Sequence, residues 1–211
     1  KILLFVCIAQ LSVAQQKGYY RNPAIHGQIV AFTAEGDLWR HDIITGQSQR
    51  LTTHHGLETE PVFSPDGQRI VFTAELEGSS ELYEMPVKGG IPKRLTYENG
   101  RGIKAIAWLS DGKILYTTSN ESPLEDSQLA KLNPQTLLRE MIPLAQAADG
   151  SYDGAGNLFF TRFPFQGSHT KRYKGGTAQN IWKFTGSSAS TCLTCDYSGT
   201  SREPLFFNNR V

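Results

Sequence analysis

The sequence lacks most of what marks an enzyme at sight. It contains no G-x-S-x-G elbow, no H-E-x-x-H pair, no P-loop and no G-x-G-x-x-G turn. The common nucleophile, zinc and nucleotide-phosphate sites are therefore absent from its motifs. An excess of one charge is missing too: 21 basic residues meet 20 acidic ones, for a net charge of +1. That balance gives no field to draw in nucleic acid or an anionic membrane. The apolar run from Ile2 to Val13 is too short to cross a bilayer, which takes about 20 residues, so no membrane anchor is expected. Helical periodicity appears nowhere at length. Cysteine is scarce, with 3 in the chain. One C-x-x-C pair, Cys192 and Cys195, falls short of the four ligands of a structural zinc site. Residues three apart on a strand point to opposite faces, which disfavours a bridge unless the chain turns there. A thioredoxin-like redox site would need a βαβ setting. Two unlinked or merely structural cysteines are the expected state, although export would permit a turn-spanning disulfide. No cofactor and no metal are expected.

What is present begins at the N-terminus. Lys1, the short apolar stretch and Ser12-Val13-Ala14 before Gln15 compose a secretory signal peptide over residues 1–14, with cleavage expected after Ala14. A buried first strand is the competing reading. Cys7 would leave with the signal. The mature protein is expected to be exported, to the periplasm or the extracellular space. The chain starts without Met and stops at Val211 inside an apolar run, so both ends are expected to be cut.

Internal repetition is the strongest signal. "PAIHGQIVAFTAEGDLWRHDIITGQSQRLT" from Pro23 is answered by "PVFSPDGQRIVFTAELEGSSELYEMPVKGGIPKRLT" from Pro61. A third copy runs through "IAWLSDGKILYTT", with further strands at Gln128 to Leu132 and near Arg139 to Leu144. A fourth starts at "SYDGAGNLFFT" from Ser151, continues in "NIWKF" from Asn180 and closes on "CLT" at Cys192. A fifth opens with "PLFFNNRV". Phe32, Phe72, Tyr116 and Phe160 recur at roughly the 40–45-residue spacing of propeller blades. Asp66-Gly67 and Asp111-Gly112 are turn dipeptides. The runs between them are β-branched and aromatic, as strands are.

The fold expected is all-β: a partial β-propeller of about four and a half four-stranded antiparallel blades within residues 18–211. The blades are placed near residues 22–56, 59–100, 104–146 and 149–198, with the next starting at 201–211. Twenty glycines and ten prolines suit so many short strands. Phe32, Phe72, Tyr116 and Phe160 are expected to be buried at matching positions, with Trp39, Tyr83 and Trp182 at equivalent sites on the next strand. An incomplete ring leaves an unpaired blade face, so at least one or two further blades are expected in the native protein.

Few residues suggest chemistry. His54 and His55, near Glu58 and Glu60, would allow a metal site on paper, but adjacent residues rarely aim at one point. A polar inter-blade loop is the better reading. His26 matches Ser64 and reads as a surface turn residue, and His41 as an exposed one. "HTKRYKGGTAQNIW" departs from ordinary blade sequence by placing Lys171, Arg172 and Lys174 around Tyr173. Three cations on a loop can hold a carboxylate, such as a peptide C-terminus, by charge-assisted hydrogen bonds. The alternative is a solvated loop packed between blades.

"GYYRNPAIHGQIVAFTAEGDLW", "RLTTHHGLETEPVFSPDG", "GGIPKRLTY" and "KRYKGGTAQNIW" together resemble the N-terminal propeller of the tricorn protease family, over Gly18 to Val211. The opening "GYYRNP" and the "KRYKGGTAQ" loop separate this resemblance from other exported propellers. It implies six blades when complete, and a serine peptidase acting on oligopeptides. The nucleophile and base would belong to later domains, so no catalytic residue falls in this segment. The propeller would be a channel or docking wall for peptides, with the remaining domains and a homo-oligomer as partners. Blade three departs from the pattern with "NESPLEDSQLAKLNPQT" and "REMIPL", and blade four lacks the Asp of the D-G turn. The alternatives are a non-enzymatic periplasmic propeller that binds a protein, and the propeller of a prolyl-oligopeptidase-like hydrolase.

Overall fold

The computed structural model describes residues 18–99, 102–122, 126–164, 175–186 and 189–211, and within them each repeat becomes one sheet. Blade 1 holds β1 (Tyr20–His26), β2 (Ile29–Ala34), β3 (Asp37–Asp42) and β4 (Ser48–Arg50). Blade 2 holds β5 (Glu58–Phe63), β6 (Arg69–Ala74), β7 (Glu81–Pro86) and β8 (Lys93–Arg94). Blade 3 holds β9 (Lys104–Trp108), β10 (Ile114–Thr118), β11 (Gln128–Leu132) and β12 (Arg139–Met141). Blade 4 holds β13 (Asp149–Tyr152), β14 (Leu158–Thr161), β15 (Ile181–Phe184) and β16 (Thr191–Cys192). Every sheet is antiparallel and takes its strands in chain order. The first strands of successive blades, β1, β5, β9 and β13, approach one another and form the inner wall.

The turns between first and second strands follow from side-chain chemistry. Asp66 accepts hydrogen bonds from the Ser64 hydroxyl and the Gln68 N–H, and Gly67 takes a φ of +67° that a side chain would resist. Asp111 and Gly112 repeat the arrangement. Blade 4 keeps it in a longer turn, against the expectation that it lacks the aspartate: Asp153, before Gly154, accepts from the N–H groups of Ala155 and Asn157, and Gly156 takes the positive φ of +85°.

Three cores fill the seams between blades. Ala31 and Leu38 of blade 1 meet Ile70, Phe72, Tyr83 and Met85 of blade 2. Val71, Leu82 and Leu95 of blade 2 meet Ile114, Tyr116 and Ala130 of blade 3. Leu115 and Leu129 of blade 3 meet Leu158, Phe160 and Phe184 of blade 4. The recurring aromatic thus always faces the preceding blade, and its partner across the ladder is Trp39, Tyr83 or Trp182 in three blades and Ala130 in the third. Phe72, Tyr116 and Phe160 are buried, as expected. Phe32 is not: it is half-buried, because no described blade precedes blade 1. The Tyr20 ring packs edge-on against it at 5.3 Å, and the two line an open cleft of about 1060 Å³ with Val30 and Trp39. At the other end Phe206 stacks on Phe159 of blade 4, with ring centroids 6.1 Å apart.

The repeated Arg-Leu-Thr closes a clamp between third and fourth strands. Asp37, at the head of β3, pairs with Arg50, while Leu38 donates its N–H to the Thr52 hydroxyl at 2.9 Å. In blade 2 Glu81 accepts from Arg94 at 2.9 Å and from the Thr96 hydroxyl at 2.5 Å, and Leu82 donates its N–H to Thr96 at 2.8 Å. Burial works to raise the Glu81 carboxyl, but those bonds and the N–H of Asn99 win and hold it below the usual range. Blade 3 carries Gln128, Met141 and Pro143 at these positions. There Glu98, from the preceding connection, accepts from Tyr116 at 2.5 Å and from Thr118, and pairs with Arg139 at 3.1 Å. Blade 4 carries Asn180 and Cys192, and keeps the Ile181 N–H to Thr194 hydroxyl bond at 3.0 Å, with the Thr194 hydroxyl donating to Asn180 Oδ1 at 3.5 Å.

Cys192 and Cys195 are joined in a disulfide, which corrects the expectation of two unlinked cysteines. The physical reason is the strand's end. β16 stops at Cys192 and residues 193–196 turn, so the two Cα atoms come to 5.8 Å, within bridging range.

Candidate functional site

The inner wall departs from regular β-structure at repeated positions. In β1 and β5 the ladder register shifts between Arg21 and Ala24 and between Thr59 and Val62. Asn22 and Glu60 sit in these bulges with φ values of +49° and +52°, each followed by proline. A left-handed residue other than glycine costs about 1–2 kcal/mol; Asn is among those that adopt it most readily and Glu is not. β9 also breaks register, but with Ala105 in place of the strained residue. β13 pairs without a shift.

These bulges shape a hollow of about 400 Å³ on the inner wall, lined by Pro23, Ala24, Pro61, Val62, Ala105 and Ile106 together with Asn22 and Glu60. The Glu60 carboxylate lies 3.4 Å from the Lys104 ammonium of the neighbouring blade, with both side chains part-exposed. At the far end of the hollow His26, exposed as expected of a turn residue, reaches across to the Pro65 carbonyl at 3.2 Å. His41 was expected to be exposed. It is half-buried instead, because the ladder with β4 brings its Nδ1 to 2.9 Å from the Ser48 hydroxyl oxygen.

Strand direction sorts the connections into two ends. Those after the second and fourth strands share one end, which carries His54, His55 and Glu58. His54 and His55 are exposed, and His54 Nδ1 accepts the Gly56 N–H at 2.9 Å. Glu58 is buried away from them, so the two His and two Glu of the stretch do not converge. Among the described residues no three His, Cys, Asp or Glu gather as metal ligands.

Glu58, weighed in the sequence only as a partner of His54 and His55, is instead a buried acid on its own. Fully buried between blades 1 and 2, it takes the Thr52 hydroxyl on Oε2 at 2.7 Å and leaves Oε1 without a partner. Desolvation is the main force raising its carboxyl, to about 7. The Thr52 bond opposes that rise, and the nearby Asp37 adds to it. Blade 3 fills the equivalent position with Ile103, so this carboxyl is no requirement of the repeat.

Lys171, Arg172 and Lys174 lie outside the described residues. The connection that carries them joins β14 to β15, and its described flanks line a cleft of about 300 Å³ with Trp182, Asp196 and Tyr197. In that cleft the Arg162 guanidinium stands 5.1 Å from the Phe163 ring centre and 5.4 Å from that of Trp182, and donates to Gln146 at 2.6 Å. Sequence reasoning also missed Asn22 and Lys104, and weighed Glu60 only beside His54 and His55. The aligned Asn-Pro and Glu-Pro pairs heading the first two repeats were the available signal.

Residues 17–211 match the family described as the tricorn protease N-terminal beta propeller domain. Tricorn protease homolog 1 of Streptomyces coelicolor is 32% identical over 169 residues, covering 78% of this chain and 16% of that protein. A tricorn-like protease N-terminal subunit of Sulfurisphaera tokodaii is 30% identical over 174 residues, covering 78% of this chain and 86% of that one. The crystal structure of the tricorn protease superposes with a TM-score of 0.76 at 26% identity, over 90% of this chain and 19% of that one. TolB from Acinetobacter baumannii shares the fold, with a TM-score of 0.68 at 20% identity over 83% of this chain and 43% of that one. The chain therefore spans about a sixth of the Streptomyces relative and most of the Sulfurisphaera one.

Proposed function

Since the chain belongs to the tricorn protease family, through that family's N-terminal β-propeller domain, we propose that it serves an exported serine peptidase as the channel or docking wall for oligopeptides. The observation that carries this reading is the inner wall. Its first strands are bent by bulges into a hollow lined by prolines and small apolar side chains, with a part-exposed Glu60–Lys104 pair beside it. Such a surface offers an extended peptide apolar contact and few fixed polar partners, which suits passage of varied sequences better than recognition of one. Acyl transfer by a base-activated serine would be the work of other domains of the complete protein. Export is supported by the signal-like residues 1–14 and by the Cys192–Cys195 bridge, since disulfides persist in oxidising compartments.

On this reading Lys171, Arg172 and Lys174 hold the carboxylate end of the peptide through charge-assisted hydrogen bonds. The test is kinetic and uses the complete enzyme. Replacing the three cations by Ala should lower kcat/KM at least tenfold for peptides with a free C-terminal carboxylate, and leave their C-terminal amides within twofold. Equal rates for the native and substituted enzymes on the free-acid peptides would dismiss the anchor.

A further inference from the structure

We propose that Glu60 and Lys104 form a subsite for a zwitterion, taking the ammonium and carboxylate of a free amino acid or a dipeptide on the inner wall. The proposal rests on the channel reading above and deepens it by naming the class of ligand that pauses there.

The argument starts from the backbone. A bulge that needs a φ near +50° is built without strain by glycine. Position 60 holds a glutamate instead, at +52°. The strain is kept and a carboxylate is displayed, an arrangement found most often where a side chain has a task. That carboxylate is not consumed by blade stacking. Its counterparts on the other inner strands are Asn22, Ala105 and Gly150, and the counterparts of Lys104 are Arg21, Thr59 and Asp149. No other blade reproduces the pair, so the repeat architecture does not require it.

The contact itself is loose. Glu60 and Lys104 stand 3.4 Å apart, whereas Arg69–Glu84 closes to 2.6 Å and Arg94–Glu81 to 2.9 Å. Side-chain exposures of 39% for Lys104 and 27% for Glu60 leave both heads reachable by solvent. A part-exposed pair contributes little to folding, so opening it costs little. An amino acid carries its ammonium and its carboxylate on one carbon, and a dipeptide carries them at the two ends of one short chain. A ligand can therefore give an ammonium to Glu60 and a carboxylate to Lys104, replacing one loose ion pair by two charge-assisted ones. Beside the pair, Pro23, Pro61, Val62 and Ile106 wall a hollow of about 400 Å³, room for small side chains in apolar contact.

The experiment is calorimetric titration of the full chain with dialanine, N-acetyl-dialanine and dialanine amide. Dialanine should bind, and blocking either charge should weaken binding at least tenfold. Glu60→Gln should weaken dialanine and its amide tenfold and leave the acetylated form unchanged, while Lys104→Gln should do the reverse. Both variants keep a side chain of similar length, and unchanged thermal melting will show that they fold. Native dialanine affinity in both variants overturns the proposal, as does equal affinity of the native chain for all three probes, or no binding of any. The Lys171, Arg172 and Lys174 variant, assayed kinetically, reports on the carboxylate anchor alone. Loss there with full dialanine binding in Glu60→Gln removes the subsite and leaves the channel reading standing.

Discussion

Replacing Glu58 with Gln should remove a pH dependence of stability expected of the native chain between pH 4.5 and about 7. The carboxyl is fully buried, with one oxygen unpartnered and the other receiving only the Thr52 hydroxyl. Desolvation first, then the charge of Asp37, raises it to about 7 from a reference of 4.5, against the pull of Thr52 and Arg50. The folded state therefore binds this proton more tightly than the unfolded state does. The stability it contributes is complete below pH 4.5, declines as pH rises, and is lost above about 7. Its full size is about 3 kcal/mol, from 1.36 kcal/mol for each unit of difference. In a domain of this length that moves Tm by roughly 6–12 °C. Gln matches the protonated acid in shape and cannot ionise. Urea unfolding followed by tryptophan fluorescence, in steps from pH 4.5 to 8, should show the native chain losing that stability while Glu58→Gln holds level. The groups facing Glu58 are Asp37, Arg50 and Thr52, so the difference between the two curves belongs to this cluster. Parallel curves would refute the reasoning. Glu58→Ile, which copies Ile103 of blade 3, should likewise hold level.

Three further outcomes are expected in denaturant titrations. Phe72→Ala, at a site sealed between blades 1 and 2, should cost about 3–5 kcal/mol; Phe32→Ala, on the half-open face of blade 1, should cost less than half as much. Arg94→Leu strips the buried Glu81 of its cation and should cost about 3–5 kcal/mol, whereas Met141→Leu at the matching position of blade 3 should stay below about 1.5 kcal/mol. Removing the disulfide by Cys192→Ser with Cys195→Ser should cost about 2 kcal/mol, the small loop-closure value for so short a span, and mass spectrometry before and after reduction checks the bridge itself.

The blades were legible because their signals are local. An aspartate and a glycine set the first turns of blades 2 and 3, and in blades 1 and 2 a Phe-Thr strand end followed by an acid, a leucine and an aromatic fixes the phase of the next two strands. Even Asp153 fits that logic once its turn is allowed to lengthen. What the sequence hid was decided by neighbours. The exposure of Phe32 depends on a blade face and not on its own strand. The bond between Cys192 and Cys195 depends on where β16 ends. Asn22 and Glu60 contradict their local rule, since a residue before proline prefers extended backbone, and only the packing of inner strands over-determines the left-handed turn. Glu60 and Lys104 are far apart in sequence and meet through the register between two sheets. The carboxylate anchor could be named from composition alone, because three cations around a tyrosine are conspicuous in blade sequence.

The clamp between third and fourth strands also explains why the propeller's two halves differ in chemistry. In blades 1 and 2 the junction is held by the ion pairs Asp37–Arg50 and Glu81–Arg94. Glu58 adds a second acid beside Asp37 at the first of these junctions, and its raised carboxyl puts a proton-sensitive group between blades 1 and 2. Blade 4 abandons the ion pair for Asn180 and a covalent bond at Cys192. Its junction lies beside the cleft of Arg162, Trp182 and Tyr197, at the end from which the 162–180 connection leaves. The junction there is closed by an amide and a covalent bond, so protonation of a carboxyl has no clamp to open in this blade.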